Sequence, residues 1–307
     1  MIESGQIIEF FKSLQDEICL GLEQLDGSSR FQEDLWDRQG GGGGRTRIIE
    51  GRHIEKGGVN FSHVYGEVTP LMRESMNMEG NQWLASGVSI VLHPQSPMVP
   101  IIHMNVRYFE LDRGQDWWFG GGIDLTPHYI DLDLARKFHL RMQKVCEKFQ
   151  SGKYEDYKKW ADDYFYLPHR EETRGIGGVF FDHLNEKSGM DKSSIFEFVQ
   201  NIGRAFLPAY EEQVMHTISR EYGKEQKQWQ MIRRGRYTEF NLVWDRGTKF
   251  GLMSNGRTES ILMSLPPQAH WSYQYHTDDP AALETQRWLH KGVDWINLKL
   301  SETEHQK

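Results

Sequence analysis

Between positions 233 and 267, several arginines and one aspartate lie among aromatic and apolar residues, a combination suited to binding a ligand that carries carboxylates. The segment reads RRGRYTEFNLVWDRGTKFGLMSNGRTESILMSLPP. The planar guanidinium of arginine pairs with a carboxylate through two parallel hydrogen bonds, so Arg246 and Arg257 are candidate binding residues. Asp245 stands beside a cation that favours its ionised form, and its carboxylate can accept hydrogen bonds from N–H groups of a ligand.

A further candidate arginine lies inside an apolar stretch, PIIHMNVRYFEL, at residues 100–111. Alternation along a strand places Asn105 and Arg107 on the same face, where they could form a joint site. Because Arg107 stands between Val106 and Tyr108, we expect it to have a specific partner. That partner is either a ligand carboxylate or a protein carboxylate in a structural ion pair.

The stretch from Tyr237 to Asp245 alternates, with Phe240, Leu242 and Trp244 on one side and mostly polar residues on the other. This period of two predicts a β-strand. Residues 245–247 predict its end and residues 249–252 a second strand of a hairpin, while 255–256 predict another turn. Taken alone, the pattern is more often that of a hairpin whose outer face is simply solvated.

The sequence resembles the oxygen-dependent coproporphyrinogen III oxidase family from about residue 57 to residue 295. Besides the segment 233–267, five blocks carry the resemblance. They are GVSIVLH (87–93), HMNVRYF (103–109), WWFGGGIDLTP (117–127), KWADDYFY (159–166) and RGIGGVFFD (174–182). Several long blocks in the same order make the resemblance specific.

The resemblance implies an oxidative decarboxylation in haem biosynthesis. Two propionates of coproporphyrinogen III become vinyl groups, giving protoporphyrinogen IX, with O2 as co-substrate and CO2 and H2O2 as the other products. It implies no organic cofactor, and it does not demand a metal because pyrroles are electron-rich enough to react with O2 directly. It also implies an α+β fold, with a large antiparallel β-sheet flanked by α-helices on both faces, and a homodimer that uses the region of about 237–272.

The resemblance also implies a set of site residues. The substrate contacts are Ser89, Asn105, Val106, Arg107, Asn255, Gly256 and Arg257. Arg107, Arg246 and Arg257 are the candidates for holding propionates. Asp245 is the first candidate for engaging the pyrrole N–H groups and Asp124 the second, although aspartate is also common in turns.

Four histidines match positions that bacterial members of the family present together: His93, His103, His139 and His169. In that branch they are interpreted as ligands of a divalent, Mn2+-like metal, and His103 also as a proton donor. Neutral imidazole is suited to both roles. The spacings of 10, 36 and 30 residues form no local metal motif, so hydrogen-bonded or surface histidines are the alternative.

The composition limits the partners and the location of the protein. The 36 basic and 44 acidic residues give a net charge of −8, which argues against a nucleic-acid partner. The sequence has no run of 18 apolar residues, so no membrane span is predicted. The N-terminus has neither the basic flank nor the apolar core of a secretory signal. Two cysteines make no metal motif or disulfide framework, so we expect a reducing cytoplasm.

We expect one domain over residues 1–307, and the pattern along the chain predicts its elements. An amphipathic helix is predicted at about 3–25. Strands are predicted at 45–51, 59–68, 85–93, 100–111, 116–125 and 177–184. Helices are predicted at 131–166, 193–222 and about 280–290, and residues 225–234 either extend the second of these or form a separate helix.

The glycines at 40–44 predict a mobile surface loop, with a basic lid over the ligand as a second interpretation. Of the Trp117-Trp118-Phe119 cluster, we expect two rings to pack in the core. Two other classes of protein also fit the sequence. A metal-dependent oxygenase would be built on the histidines, and a non-catalytic tetrapyrrole carrier would bind through the same arginines.

Overall fold

A seven-stranded antiparallel sheet organises the chain. The computed structural model describes residues 2–76, 79–253 and 256–298. The strands of the sheet are β1 (Gln32–Asp37), β2 (Gly42–Ile49), β3 (Ile54–Glu67), β4 (Gln82–Pro94), β5 (Ile101–Leu111), β6 (Asp116–Thr126) and β9 (Gly177–Leu184), adjacent in this order. Two short strands, β7 (Tyr166–Leu167) and β8 (Glu172–Thr173), pair with each other.

The helices fall between and after the strands. They are α1 (Ser4–Asp26), α2 (Pro70–Met76), α3 (Leu132–Phe149), α4 (Lys153–Tyr164), α5 (Lys192–Thr217), α6 (Lys224–Glu239), α7 (Arg246–Met253), α8 (Thr258–Leu262) and α9 (Pro280–Trp288). A 3-10 turn covers Glu186–Ser188, and a π-helix, Phe240–Trp244, continues α6. Within the described ranges, no helix is long and apolar enough to cross a membrane.

One face of the sheet carries the main hydrophobic core. The even-numbered side chains of β5, from Ile102 to Tyr108, are fully buried in this core. Helices α1 and α5 pack on this face and α3 packs on α5. In α1 the buried apolar residues follow helical spacing and include Ile7, Phe11 and Leu14, which is why this segment forms an amphipathic helix.

The opposite face, which we call the polar face, carries the odd-numbered side chains of β5. It is covered in part by the C-terminal half of the chain. Tyr237 of α6 packs on Val91 and Ile101, and the carbonyl of Ser260 in α8 accepts a hydrogen bond from Asn60 of β3 at 2.8 Å. Helices therefore lie on both faces of the sheet, and the predicted α+β class is confirmed.

The predicted strands between residues 45 and 184 are confirmed, with shifts of a few residues at their ends. The N-terminal helix and the four predicted helical stretches are confirmed as well, the first of the four being divided into α3 and α4. These segments have a clear period of two or of 3.6, which is the strongest signal a sequence offers.

The predicted hairpin of 237–252 is wrong, because α6, the π-helix and α7 occupy these residues. Tyr237, Thr238, Phe240 and Asn241 are buried, and their spacing of three and four is that of one helical face. Leu242 and Trp244 are exposed although Phe240 is buried, so the apparent alternation did not separate two faces. Asn255 lies outside the described residues.

The glycines at 40–44 do not form a loop throughout. Gly42 to Gly44 are the first residues of β2 and pair with β3, and Gly43 and Gly44 also pair with β1. Gly42 has φ +76°, and a Cβ there would lie 2.2 Å from the carbonyl oxygen of His63, so the tight turn requires glycine. The nearby Arg45 and Arg47 are bound to Asp16 of α1, on the face opposite the polar face.

Candidate active site

The polar face presents a row of polar side chains that the strand register brings together. Asn60 of β3 pairs with Ser89 of β4, Ser89 with Asn105 of β5, and Asn105 with Gly122 of β6. One step further along the strands, Arg107 of β5 lies between Gly87 and Gly120. The predicted joint face of Asn105 and Arg107 is thus present.

Arg107 lies flat on the sheet between two fixed partners. Its Nη1 donates to Asn105 Oδ1 at 2.9 Å, and its Nη2 lies 2.9 Å from Asp182 Oδ2 on β9. A Cβ at Gly120 would come within 2.9 Å of this guanidinium, so glycine there makes room for it. With 36% of its side chain exposed, Arg107 remains accessible to a carboxylate from solvent.

The side chain of Val106 points away from the polar face. It is fully buried in the hydrophobic core on the opposite face of the sheet. It therefore faces away from Asn105 and Arg107, because neighbouring residues of a strand point to opposite faces. Ser89 is half-buried on the polar face.

His103 and Asp124 form a pair at the other end of this row. His103 Nδ1 lies 2.7 Å from Asp124 Oδ1, and 21% of the His103 side chain is exposed whereas Asp124 is 2% exposed. Burial alone would raise the pKa of Asp124, but the positive charge of Arg174 and the bond with His103 outweigh it and hold this pKa below its ordinary value. An ionised Asp124 accepts the proton of Nδ1, so Nε2 is the nitrogen of His103 that can accept or return a proton.

Arg174 stands behind this pair in a ring of aromatic side chains. Its Nη2 donates to both oxygens of Asp124, at 2.8 and 2.7 Å. The guanidinium carbon lies over the rings of Phe165, Tyr237 and Phe240, 4.3, 4.5 and 4.7 Å from their centroids. The three residues Arg174, Asp124 and His103 thus connect a buried charge to an accessible imidazole.

Asp245 lies where the π-helix meets α7, half-buried. Its Oδ1 accepts a hydrogen bond from the Tyr164 hydroxyl at 2.7 Å, and its Oδ2 accepts one from the backbone N–H of Thr248 at 2.7 Å. Asp245 therefore caps α7, in addition to any role toward a ligand. The guanidinium of the exposed Arg246 lies 5.0 Å from the centroid of the Tyr164 ring, so both residues meet at Tyr164.

Arg257 and Gly256 lie closer to the β1 edge of the sheet. Arg257 pairs with Asp34 of β1, and its guanidinium lies 5.9 Å from the Trp36 ring. Its Nη1 is buried without a hydrogen-bond partner among the described residues. The N–H of Gly256 donates to the carbonyl of Gly251 at 2.8 Å, at the end of α7.

The four predicted metal ligands do not converge. Both ring nitrogens of His139 are bonded inside the core, to the Tyr154 hydroxyl at 2.9 Å and to the Ile176 carbonyl at 3.0 Å. His93 is fully buried with Nε2 on the Ser264 carbonyl at 2.9 Å, and burial lowers its pKa to about 3.

His169 is on the surface, between the Glu239 carboxylate at 2.8 Å and the Trp244 indole N–H at 3.1 Å. Within the described parts of the chain, no group of three His, Cys, Asp or Glu side chains could hold a metal ion. The residues present do not fit the predicted four-histidine site, since His139 and His169 each have both ring nitrogens bonded to separate partners. His93 lies apart in the buried core, with Nε2 on the Ser264 carbonyl and Nδ1 without a partner among the described residues.

Three residues of this site were not predicted as site residues. Arg174 and Asp182 lie in the RGIGGVFFD block and Tyr164 in the KWADDYFY block. Arg174 and Asp182 stand at the two ends of an otherwise apolar block, and this position could have indicated them, because buried charges need partners. Their partners Asp124 and Arg107 are distant in sequence, and periodicity cannot reveal such pairs.

Comparison with known proteins supplies the context of this arrangement. The family model described as coproporphyrinogen III oxidase matches residues 6–295. A protein of Synechococcus sp. (strain CC9902), named oxygen-dependent coproporphyrinogen-III oxidase, is 48% identical over 287 residues, covering 85% of this chain and 79% of that protein. A protein of the same name from Synechococcus sp. (strain CC9605) is 47% identical over 310 residues, covering 92% of this chain and 85% of that protein.

Proposed function

The chain belongs to the coproporphyrinogen III oxidase family and is an oxidoreductase of haem biosynthesis, and we propose that it decarboxylates coproporphyrinogen III on its polar face. The two propionates concerned become vinyl groups, giving protoporphyrinogen IX. The observation that carries the proposal is the position of the His103–Asp124 pair two residues along β5 from Asn105 and four from Arg107, on the same face of the sheet. A carboxylate clamp and a proton carrier are thus side by side.

The stoichiometry of the reaction consumes one proton for each propionate. Each propionate chain loses CO2 and a hydride equivalent as its C–C double bond forms. O2 accepts the two electrons and the hydrogen of that hydride, together with one further proton, as H2O2. His103, held at Nδ1 by Asp124, can carry this proton at Nε2.

Binding requires local positive charge, since the net charge of −8 opposes an anionic substrate. Arg107 and the exposed Arg246 are the cations we assign to propionates, and Arg257 contributes if a propionate competes with Asp34. Asp245 accepts hydrogen bonds from the pyrrole N–H groups. Tyr164 orients the carboxylate of Asp245 for this contact.

Several further features belong to the proposal. The protein acts as one domain and as a homodimer in the cytoplasm, with O2 as its co-substrate. It needs no organic cofactor and no divalent metal. The family match over 6–295 supports a single unit, and the separate environments of His93, His103, His139 and His169 weigh against a shared metal.

Mass spectrometry of coproporphyrinogen III incubated with chelator-treated protein, in air and under argon, tests the proposal. We expect two successive losses of CO2 and two hydrogens in air and none under argon. A product that forms only after a divalent ion is added would favour the metal-dependent oxygenase. Bound but unconverted substrate under all conditions would favour the tetrapyrrole carrier.

A further inference from the structure

One buried guanidinium lies between the two candidate carboxylates of the site. Nη2 of Arg174 holds both oxygens of Asp124, and its Nη1 donates to Asn241 Oδ1 at 2.9 Å. Asn241 belongs to the π-helix that ends immediately before Asp245. Arg174 therefore binds Asp124 through Nη2 and, through Nη1, the π-helix that precedes Asp245.

Further bonds join the same two regions. The backbone N–H of Arg174 donates to the carbonyl of Phe165 at 2.8 Å. Phe165 follows Tyr164, whose hydroxyl donates to Asp245. The charge of Asp245 also contributes to raising the pKa of Arg174, after the larger contribution of Asp124 and against the lowering effect of burial.

Stability alone does not account for a charge in this position. Arg174 is 2% exposed, and a buried ion pair is often no more stabilising than well-packed apolar residues of similar volume. The surrounding rings of Phe165, Tyr237 and Phe240 would accommodate an apolar side chain. What an apolar side chain cannot provide is directed N–H donors on two sides.

We propose that Arg174 is a positioning residue, which holds Asp124 behind His103 with one nitrogen and the π-helix before Asp245 with the other. It does not touch the substrate, and its effect reaches the reaction through His103 and Asp245. The inference rests on the proposed function, because it concerns the residues assigned to that reaction.

Lysine is an informative replacement at this position. It preserves the positive charge, but its single ammonium group lacks the planar fork that spans two partners. Arg174→Lys can therefore neutralise Asp124 without holding Asn241 in the same geometry. Loss of activity in this variant would arise from position rather than from charge.

The chain offers a matched control in Arg233 of α6. Arg233 is also buried, its Nη1 lies 2.7 Å from Glu172 Oε1, and its guanidinium lies 5.6 Å from the Trp229 ring. The Nε atoms of both arginines are buried without a partner among the described residues. Arg233 makes no contact with His103, Asp124 or Asp245 in the described structure, so Arg233→Lys reports the general cost of the substitution.

The experiment measures kcat and KM for coproporphyrinogen III with wild type, Arg174→Lys and Arg233→Lys, with a thermal melt of each. We expect kcat of Arg174→Lys to fall about 10–100-fold, as for partners that orient a reacting group, with KM within about twofold. Arg233→Lys should stay within about twofold of wild type. Equal kcat in the two variants, or a loss confined to KM, would overturn the inference.

A second variant serves if Arg174→Lys does not fold. Asn241→Ala leaves the Arg174–Asp124 pair in place and removes the link to the π-helix. We expect it to lower kcat about fivefold in wild type and less than twofold in an Asp245→Asn background, because effects through one residue are not additive. Equal losses in both backgrounds, or none in wild type, would overturn the link. Absence of turnover by wild type would instead refute the proposed function.

Discussion

Asp124 and Asp245 are both candidate carboxylates of one site, but they are held in opposite ways. Asp124 is buried and bound to a permanent cation, Arg174, and it reaches the polar face only through His103. Asp245 is half-buried and its bonds come from neutral donors, the Tyr164 hydroxyl and a backbone N–H. The difference indicates separate roles. Asp124 fixes the tautomer of the His103 imidazole, while Asp245 can accept hydrogen bonds from further donors.

Asp245→Asn tests the proposed role of the Asp245 carboxylate most directly. Asparagine caps helices about as well as aspartate, so α7 should keep its stability. Asparagine lacks the negative charge and has one acceptor oxygen instead of two for the pyrrole N–H groups, and we expect kcat to fall about 10²–10⁴-fold. Steady-state kinetics beside a thermal melt checks this, and normal turnover would remove Asp245 from its role.

Asp124→Asn should act first on stability. It leaves Arg174 as a buried charge without its counter-ion, which typically costs about 3–5 kcal/mol. Urea denaturation measures this cost, and Asp245→Asn is the control at a half-buried carboxylate that is bound only by neutral donors. If both substitutions lowered the free energy of unfolding equally, the proposed contrast between the two aspartates would not hold.

Asp26 is a third aspartate that is bound only by neutral donors, and it has no proposed part in the reaction. Burial raises the pKa of Asp26, but hydrogen bonds from the backbone N–H groups of Ile54, His53 and Arg52 and from Ser28 outweigh it and lower this pKa to about 2. Because the folded pKa lies below the ordinary value, the stabilisation is complete above about pH 4 and is lost as the pH falls toward 2.

We therefore expect Asp26→Asn to lower the free energy of unfolding by about 2 kcal/mol at pH 7, without lowering kcat. The difference from wild type should narrow as the pH falls below about 4. Urea denaturation at pH 7 and at pH 3 tests the prediction. A difference that grew on acidification would contradict the assigned sign.

Tyr164→Phe should have the smallest effect of this series. It removes the hydroxyl that donates to Asp245 Oδ1 and leaves the bond from Thr248. The hydroxyl donates to a carboxylate, and the loss of such a bond corresponds at the low end to about 1.5 kcal/mol, or about tenfold in kcat. A loss as large as that of Asp245→Asn would mean that Tyr164 itself takes part in the reaction.

The sequence predicted the sheet and the row of Asn105 and Arg107 because both depend on a period of two within one strand. It also named His103 and Asp124 but could not show that they touch, since their contact depends on the pairing of β5 with β6. Arg174 was missed for the same reason: its partners lie 50 and 67 residues away along the chain.

The segment 237–252 was misjudged because apolar residues two apart also occur in a helix that is partly exposed. Phe240 packs with Phe165 and Ala161, whereas Leu242, Val243 and Trp244 face outward. Only the tertiary position of Phe240 separates these two cases. For the four histidines, spacing gave no indication that each would have its own hydrogen-bond partners.

The π-helix has a consequence for how this site could have changed during evolution. The N–H of Asp245 donates to the carbonyl of Phe240, five residues back, at 2.9 Å, whereas an α-helix bonds four residues back. Deleting a single exposed residue such as Leu242 would restore the α-helical count and rotate Asp245 by about 100° around the helix axis. The direction of this carboxylate therefore depends on the length of the segment, so that one inserted or lost codon would redirect it with every functional side chain unchanged.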